Sequence, residues 1–388
     1  MAETYRFFAT TAKGMESLLT EEIRSFGGLD VVETRAGVSF FGPLEVGYRA
    51  CLWSRIANRI LLPLKTFPAP TPEKLYGGVK GIRWTDHLTP QETIAVDFSS
   101  NQSAIEHTHF GALKVKDAIV DQLRSVVGER PSVDPIRPDI RINVYVIKDE
   151  ATVSLDLSGD SLHKRGYREQ GTPAPLKENL AAAILMMAGW PEAAKRGASF
   201  MDLMCGSGTL PIEAALMASD TAPGLRRDYF GFSGWQGHVP AIWKRLIAEA
   251  QEREIRDPKK LPKIVGYDAD FRAVNIALTN LERSGMHGRV HIEKRELTAV
   301  NAVESRAEGP AGIVVLNPPY GERLGEVEDL KPLYKEIGDT FKKKFKGWNG
   351  YVFTGSPELS KVIGLKASRR IVLFNGPIEC RLFKYDLY

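Results

Sequence analysis

Helical and extended patterns alternate from residue 178 to the end of the chain, and this alternation restricts the fold more than any other feature. Residues 200–209 (Phe-Met-Asp-Leu-Met-Cys-Gly-Ser-Gly-Thr) and 313–321 (Ile-Val-Val-Leu-Asn-Pro-Pro-Tyr-Gly) are each a short apolar run followed by a turn-forming sequence. Such runs are typical of buried strands, and strands that alternate with helices form parallel sheets. The second half is therefore predicted to be an α/β domain with a parallel sheet.

Bulk properties exclude several classes of protein. A length of 388 residues is too great for one compact core, so two or three domains are expected. No apolar run approaches the roughly 20 residues that span a bilayer, and residues 1–6 lack the pattern of a signal peptide. Cys51, Cys205 and Cys380 are too few and too scattered for a disulfide framework or a zinc site. We expect a cytoplasmic protein with no metal and no membrane partner.

The first half of the chain is predicted to hold two α+β units. The Pro-rich stretch 67–72 separates them and predicts a boundary or a long loop. The predicted elements are a strand at 4–10, a helix at 14–26, one or two strands in 30–41, a helix over 44–62, a strand at 93–98, a helix at 110–127 and a hairpin of strands 140–147 and 151–157.

Charge is distributed unevenly along the sequence. Residues 1–160 carry a net charge of −3, whereas residues 161–388 carry +7. A polar connector, residues 158–177, joins the two parts. This distribution is compatible with a nucleic-acid partner that binds local basic patches, although it does not require one.

The turn after the first apolar run predicts a nucleotide-like cofactor. Asp202 ends the strand, and Gly206-Ser207-Gly208 lets the backbone approach a ligand before a helix begins. Pro211 stands where a dinucleotide fingerprint would have its third glycine, and no P-loop motif is present. Both observations argue against dinucleotide enzymes and P-loop NTPases. Cys205, inside the turn, is interpreted as a packing residue and not as a nucleophile.

Two further carboxylates follow strand candidates. Asp268 ends the run 264–268 and is expected to accept the ribose hydroxyls of an adenosine, a role compatible with capping the next helix. It lies 66 residues after Asp202, so residues 220–262 are expected to be an insertion. Glu296 follows the third strand candidate, where an acid would meet the adenine amine.

The second turn, Asn317-Pro318-Pro319-Tyr320, predicts a site for a planar amine. The prolines fix the backbone and remove two donors, so that the Asn317 side chain and the Pro318 carbonyl can accept hydrogens from an exocyclic amine. Tyr320 can stack on a base. The alternative is a purely structural Pro-Pro turn. With the cofactor turn upstream, the motif favours a methyltransferase that uses S-adenosylmethionine and modifies nitrogen.

These motifs resemble the RNA guanine-N2 methyltransferases that carry a THUMP domain, of the RlmL type that acts on 23S rRNA. Asp202-x-x-Cys205-Gly206-Ser207-Gly208-Thr209 and residues 317–325 (Asn-Pro-Pro-Tyr-Gly-Glu-Arg-Leu-Gly) carry the resemblance in the second half. Residues 7–10, 52–55, 110–118, 155–159, 162–168 and 176–180 extend it over nearly the whole chain. Because the chain ends at Tyr388, we expect it to resemble only the guanine-N2 module of relatives that continue into a second methyltransferase.

The resemblance implies a ferredoxin-like domain (1–65), a THUMP RNA-binding domain (66–157), a linker (158–177) and a Rossmann-like class I methyltransferase domain (178–388). It implies methylation of one guanine N2 amine in 23S rRNA, free or in a precursor of the large subunit, by S-adenosylmethionine. The positions expected at the cofactor are Leu176, Glu178, Asp202, Cys205, Gly206, Ser207, Gly208, Thr209, Asp268, Glu296, Leu297 and Asn317, with Asn317, Pro318, Pro319 and Tyr320 at the target.

Basic residues outside the two turns are the candidates for RNA binding. They are Lys114, Lys116, Arg137, Arg141, His163, Lys164, Arg165 and Arg168. Three alternatives stay open: a tRNA guanine-N2 methyltransferase, an adenine-N6 methyltransferase acting on DNA or RNA, and an RNA-binding protein without activity.

Overall fold

The computed structural model of the protein describes residues 3–168, 176–307, 311–321 and 326–388. The chain divides into two compact units, and neither is continuous in sequence. The first unit contains residues 1–11, 16–162 and 227–248. The second contains residues 12–15, 163–226 and 249–388. Within the described ranges, no helix is both long enough and apolar enough to cross a membrane.

The first unit is built on one eight-stranded sheet with the order β2-β3-β1-β4-β8-β7-β5-β6. Its elements are β1 (Tyr5–Thr10), α1 (Glu16–Ser25), β2 (Leu29–Thr34), β3 (Gly37–Gly42), α2 (Leu44–Trp53), β4 (Arg59–Pro68), α3 (Pro72–Lys80), β5 (Thr93–Asn101), α4 (Thr108–Val127), β6 (Ser132–Val133), β7 (Ile140–Ile147) and β8 (Glu150–Asp156). The predicted hairpin is confirmed, since β7 and β8 pair antiparallel from Ile142–Leu155 to Ile147–Glu150.

Strand β4 joins the two predicted N-terminal units into this single sheet. It pairs antiparallel with β1 on one side and with β8 on the other. The prediction of a long loop at 67–72 is wrong: Phe67 and Pro68 belong to β4, and Pro72 opens α3. The prolines of β4 lie where a strand tolerates them, Pro63 beside a register shift and Pro68 at the end.

The predicted helix over 44–62 is also wrong in its second half. Helix α2 ends at Trp53, Ser54 is extended (φ −65°, ψ 125°), and residues 59–62 already belong to β4. Ile60, Leu61 and Leu62 are buried between neighbouring strands. A short apolar run satisfies a helix and a buried strand equally well, so periodicity alone could not separate them.

Residues 227–248, which we call the inserted strap, belong to the first unit although the two turn motifs of the second unit flank them in sequence. The Phe232 ring stacks on Tyr48 with centroids 4.3 Å apart, and the Tyr48 hydroxyl lies 2.7 Å from His238 Nδ1. The Arg227 guanidinium donates to the carbonyls of Ser158, Asp160 and Ser161 at 2.9–3.0 Å. Aromatic packing and backbone acceptors thus fix the strap in this unit.

The second unit is a seven-stranded α/β sheet with the order β11-β10-β9-β12-β13-β15-β14. Its elements are α5 (Glu178–Met187), α6 (Trp190–Lys195), β9 (Ser199–Asp202), α7 (Thr209–Ala218), β10 (Ile264–Asp268), α9 (Phe271–Arg283), β11 (His291–Lys294), β12 (Gly312–Leu316), α10 (Glu326–Lys344), β13 (Asn349–Thr354), α11 (Pro357–Val362), β14 (Arg369–Asn375) and β15 (Ile378–Asp386). Helix α8 (Pro240–Arg253) begins in the strap and ends in this unit.

The first five strands of this sheet in space, β11 to β13, run parallel, and β15 reverses direction. All residues of β9 and β12 are buried, as expected when helices cover both faces of a parallel sheet. From β9 the chain proceeds outward on one side to β10 and β11, and on the other side to β12 and β13. Ligands of open α/β sheets bind at such a switch point, beyond the carboxyl ends of the strands. Both sequence motifs end there.

Candidate functional site

The Gly-rich turn after β9 has the backbone shape that its glycines permit. Gly206 (φ +52°) and Gly208 (φ +80°) lie in the left-handed region, which other residues rarely adopt. A Cβ on Gly206 would point into open space, whereas one on Gly208 would lie 3.1 Å from Ala277. The turn therefore packs against α9 through Gly208 and offers the bare backbone of Gly206 to a ligand.

Two carboxylates border the turn. Asp268 ends β10 and accepts the Gly206 amide at 2.8 Å through one oxygen and the Asp270 amide at 2.9 Å through the other. Asp202 is 1% exposed and accepts the Met204 amide at 3.1 Å. Burial, together with the charge of Asp268, raises the pKa of Asp202 well above its usual range. Asp268 thus fixes the turn, and its two oxygens retain lone pairs for a ligand donor.

Two residues outside the motifs support the turn, and the sequence reasoning did not assign them this role. The Asn280 amide donates to the Ser207 carbonyl at 2.9 Å, and the Arg168 guanidinium donates to the Thr209 hydroxyl at 2.7 Å. Asn280 is 1% exposed and lies on the same face of α9 as the buried residues Ala277 and Leu281. A polar residue at a core-facing helical position is the signal that could have revealed it.

The other expected cofactor positions differ in their surroundings. Glu296 is exposed just before a 3₁₀ turn at Leu297–Ala299, and Leu297 is buried. Glu178, at the start of α5, is buried, and it faces His163 Nδ1 at 3.2 Å and Arg168 Nε at 3.3 Å. Although burial opposes ionisation, the His163 hydrogen bond and the Arg168 charge lower the pKa of Glu178.

Cys205 and Leu176 are both buried. Burial raises the pKa of the Cys205 thiol well above its usual range, so the thiol is not a ready nucleophile. The Cys205 amide donates to the Tyr267 carbonyl at 2.8 Å, which ties β9 to β10. Leu176 is buried, and its carbonyl accepts from Arg168 at 2.8 Å.

The Asn317 turn follows β12, the strand that pairs with β9. The Asn317 side-chain oxygen is buried and has no hydrogen-bond partner within the part of the chain that the structure describes. A buried acceptor without a donor is unfavourable by about 1–3 kcal/mol and calls for an explanation. The Tyr334 hydroxyl donates to the Pro319 carbonyl at 3.2 Å and thereby fixes the turn. The geometry leaves one buried oxygen available to a donor from a ligand.

Tyr320 borders a cavity of about 840 Å³ next to this turn. Its hydroxyl accepts from the Asn375 amide at 3.0 Å, and its ring lies against Gly355. The cavity is lined by His163, Arg168, Lys177, Tyr320, Gly321, Gly355, Asn375, Gly376, Pro377 and Ile378. The exposed Lys177 and the Tyr320 ring suit a nucleotide with its phosphate, while His163 and Arg168 in the lining pair with the buried Glu178. Residues 322–325 of the motif and 169–175 of the connector lie outside the described residues.

Two of the eight candidate RNA-binding cations are buried, which contradicts their assignment as surface contacts. Arg141 is 8% exposed and lies 3.1 Å from Asp97. Arg165 is 2% exposed and lies 3.5 Å from Glu213, which is fully buried. A guanidinium committed to a buried carboxylate cannot reach a phosphate without breaking that pair.

The remaining six candidates keep some exposure, although His163 and Arg168 pair with the buried carboxylate of Glu178. Lys164 is exposed, and Lys114 lies 5.6 Å from the Phe110 ring. Lys116 and Arg137 form ion pairs with Asp117 and Asp228, at 2.5 Å and 3.0 Å. Such surface pairs are weak, so both cations can exchange partners. RNA contact by these residues stays a prediction. Within the described ranges, no group of three or more His, Cys, Asp or Glu side chains could hold a metal ion.

Family models match three consecutive parts of the chain. Residues 165–384 match a family described as RMKL-like, methyltransferase domain. Residues 69–156 match a THUMP domain, and residues 6–61 match the RlmL ferredoxin-like domain. These matches agree with the fold predicted from the sequence. The boundary between the THUMP match and the ferredoxin-like match falls within β4, a strand that pairs with strands of both parts.

Curated and solved proteins are similar to the chain over its whole length. "Ribosomal RNA large subunit methyltransferase K/L" of Methylococcus capsulatus is 54% identical over 100% of this chain and 52% of its own length, so the chain spans about half the length of the curated relatives it matches. SMU.472, solved with SAH and provisionally described as a methyltransferase, is 32% identical, with a TM-score of 0.87 and coverage of 100% and 99%. A Listeria monocytogenes protein whose description is that of a predicted N6-adenine-specific DNA methylase is 30% identical, with a TM-score of 0.85. The match covers 100% of this chain and 97% of that protein.

Proposed function

The chain belongs to the RMKL-like methyltransferase family, and we propose that it methylates the exocyclic N2 amine of one guanine in 23S rRNA. S-adenosylmethionine is the methyl donor, in keeping with the SAH found in SMU.472. The observation that carries the choice of an amine as the target is the buried Asn317 oxygen without a partner among the described residues, at the carboxyl edge of the sheet.

The acceptor suits an amine on a base. Nitrogen of this kind is a poor nucleophile because its lone pair is delocalised into the ring. Acceptors that hold its hydrogens, at Asn317 and at the neighbouring Pro318 carbonyl, direct that lone pair out of the ring plane. Tyr320 offers a ring face beside them. The amine nitrogen would gain the methyl group and lose one proton to water, and the donor would depart as SAH, with the rate gain coming chiefly from proximity and orientation.

The cofactor fits the turn on the adjacent strand. S-adenosylmethionine supplies a methyl group on a positively charged sulfur. The bare Gly206 backbone, Asp268 at the ribose position and the start of α7 are the groups that would hold it. Because β9 and β12 are neighbours in the sheet, the two turns bring a donor and a target amine within reach.

RNA as the substrate is supported by the family matches and by the basic cavity. The Methylococcus relative is named for ribosomal RNA of the large subunit, and the THUMP match covers residues 69–156. Lys177, which is exposed, adds a positive group to the cavity at Tyr320, where a flipped nucleotide would bring its phosphate, whereas His163 and Arg168 in the same lining are paired with the buried Glu178. Guanine N2 follows from the sequence resemblance, and adenine N6 is the second candidate because of the description of the Listeria protein.

Nucleoside mapping by mass spectrometry tests the substrate. We expect one N2-methylguanine to disappear from 23S rRNA when the gene is deleted and to return when the full-length gene, but not its Asn317→Ala form, is restored. Loss of the modified base from tRNA would replace the rRNA assignment. Loss of N6-methyladenine, with N2-methylguanine unchanged, would overturn the guanine assignment.

Removing the Asp268 carboxylate should weaken cofactor binding. Asp268→Ala loses the ribose acceptors and the hydrogen bond that fixes Gly206, so calorimetry should show S-adenosylmethionine affinity reduced by roughly 1–3 kcal/mol. Asp270→Ala is the matched control, because Asp270 caps α9 through the Arg272 amide. It should cost stability, about 0.5–2 kcal/mol, with little change in affinity. Equal affinities for Asp268→Ala and the wild type would remove Asp268 from the cofactor site.

A further inference from the structure

A second cavity, of about 660 Å³, lies in the second unit at the edge of the sheet opposite to the candidate active site. Ser199, Ile264 and His291, which begin β9, β10 and β11, contribute to its lining. These strands run parallel, so their first residues are separated from the Asp202 and Asp268 end by three or four residue steps, roughly 10–13 Å. The lining extends along β10 as far as Tyr267, but it contains neither Asp268 nor any residue of the two turns, so the cavity is distinct from the candidate active site.

The lining of this cavity is strongly basic. The cations in it are Lys259, Lys260, Lys263, Arg289 and Arg306. Glu304 is the single carboxylate among its described lining residues. Cations gathered around one concave surface raise the local potential and attract anionic ligands.

Not all of these charges are neutralised by the protein. Arg289 lies 3.1 Å from Glu254, and both side chains are largely buried. Lys263 lies 3.7 Å from Glu304, but both are exposed, so that pair contributes little. Within the described ranges, Lys259 and Lys260 make no ion pair.

Local structure orders the backbone at these two lysines. They belong to a 3₁₀ turn, Pro258–Lys260, which begins with a proline and is capped by Asp257 accepting the Lys259 amide at 2.9 Å. Pro262 follows two residues later, and Leu261 is buried. The backbone of the basic rim is thus ordered before any ligand arrives, which reduces the entropy cost of binding.

We propose that this cavity is a second RNA-binding site, which takes the phosphodiester backbone of a segment other than the one that holds the target base. The identity of the RNA rests on the proposed function. Its size suits several phosphates better than one, since a cavity of this volume is that of a drug-sized ligand. His291 stands in its lining with a side chain that is 60% exposed; its Nε2 lies 3.0 Å from Glu293, and its ring face is a flat surface on which a base can stack.

The test compares two double variants of the full-length chain that remove the same charge. Lys259→Gln with Lys260→Gln removes two cations of the cavity, and Lys335→Gln with Lys366→Gln removes two exposed lysines outside it. The probes are a protein-free 23S rRNA transcript, poly(U) and polyglutamate. For each, the affinity is measured over a range of KCl concentrations, and S-adenosylmethionine binding is measured by calorimetry to verify folding.

For the cavity variant, we expect the slope of log affinity against log salt, with either RNA, to become shallower by roughly 0.7–0.9 for each phosphate that the protein no longer neutralises. The control variant should retain the wild-type slope, and both should bind S-adenosylmethionine normally. Equal slopes for the cavity variant and the wild type would overturn the proposal. So would weaker polyglutamate binding with unchanged RNA binding, which would indicate an acidic protein partner.

The outcome is separable from that of the proposed function. A shallower slope with both RNAs would support the second site even if nucleoside mapping found no modified guanine in 23S rRNA. Conversely, correct methylation of 23S rRNA by a cavity variant with an unaltered slope would leave the proposed function intact and remove the second site.

Discussion

Asn317→Ala is expected to lower the rate of methylation by roughly 10²- to 10³-fold, the scale observed when one preorganised polar group is removed from a reacting centre. The affinity for S-adenosylmethionine should stay close to that of the wild type, because we propose that the Asn317 oxygen accepts from the target amine and not from the cofactor. Single-turnover kinetics with saturating cofactor measure the rate, and calorimetry measures the affinity.

Asn317→Asp is the matched control for this prediction. It keeps an oxygen acceptor in the same place but removes the amide, so its rate should lie between those of the wild type and Asn317→Ala. If the alanine variant bound the cofactor as poorly as it reacted, the residue would be structural or would contact the cofactor. A variant with full activity would show that the buried oxygen has no part in the reaction.

Arg165→Ala should destabilise the second unit by about 3–5 kcal/mol, the cost of leaving a buried charge without its partner. The carboxylate left behind is that of Glu213, which is fully buried inside α7, the helix that follows the cofactor turn. The Tyr167 hydroxyl, 3.3 Å from the same oxygen, compensates only in part. Urea unfolding monitored by circular dichroism measures the change in the free energy of unfolding.

Lys164→Ala tests whether this effect depends on burial. Lys164 is the adjacent cation in the connector but is exposed, so its removal should change stability by less than about 0.5 kcal/mol. It is also the better candidate for RNA, and its removal should make the salt dependence of RNA binding shallower. A small stability change for Arg165→Ala, with a large drop in RNA affinity, would restore the view that Arg165 contacts RNA.

The contrast between Arg165 and Lys164 shows where sequence reasoning was limited. Both appear as basic residues of one polar connector, and nothing local distinguishes them. The difference comes from Glu213, which is 48 residues away in sequence and reaches Arg165 only in the folded unit. Arg141 was misassigned for the same reason, since Asp97 meets it across paired strands.

The core of the candidate site was predictable because it depends on local patterns. An apolar strand that ends in a Gly-rich turn, and another that ends in Asn-Pro-Pro-Tyr, placed Asp202, Gly206 and Asn317 at strand ends. In a parallel sheet those ends meet at one edge. The order of strands was not predictable in the same way, but once β9 and β12 are neighbours the two turns necessarily converge.

The first half of the chain was harder to predict because its domains are fused. β4 completes the sheet on both sides, so no loop separates the two predicted units. The insertion at 220–262 could be deduced from the spacing of the carboxylates. The unit in which this insertion packs could not be deduced from the sequence. The aromatic residues of the strap resemble ordinary core residues, and only the structure shows their contact with Tyr48.

The inserted strap has a consequence for how such a protein can be rebuilt. A fragment cut at the connector would carry the strap away from Tyr48 and from the carbonyls that accept from Arg227, exposing Phe230 and Phe232, which are otherwise buried. Chimaeras made by a single crossover near residue 160 would combine a strap from one parent with its receptor from the other. We therefore expect recombination between relatives to give folded proteins when residues 16–162 and 227–248 come from the same parent, although two separate stretches of the gene encode them.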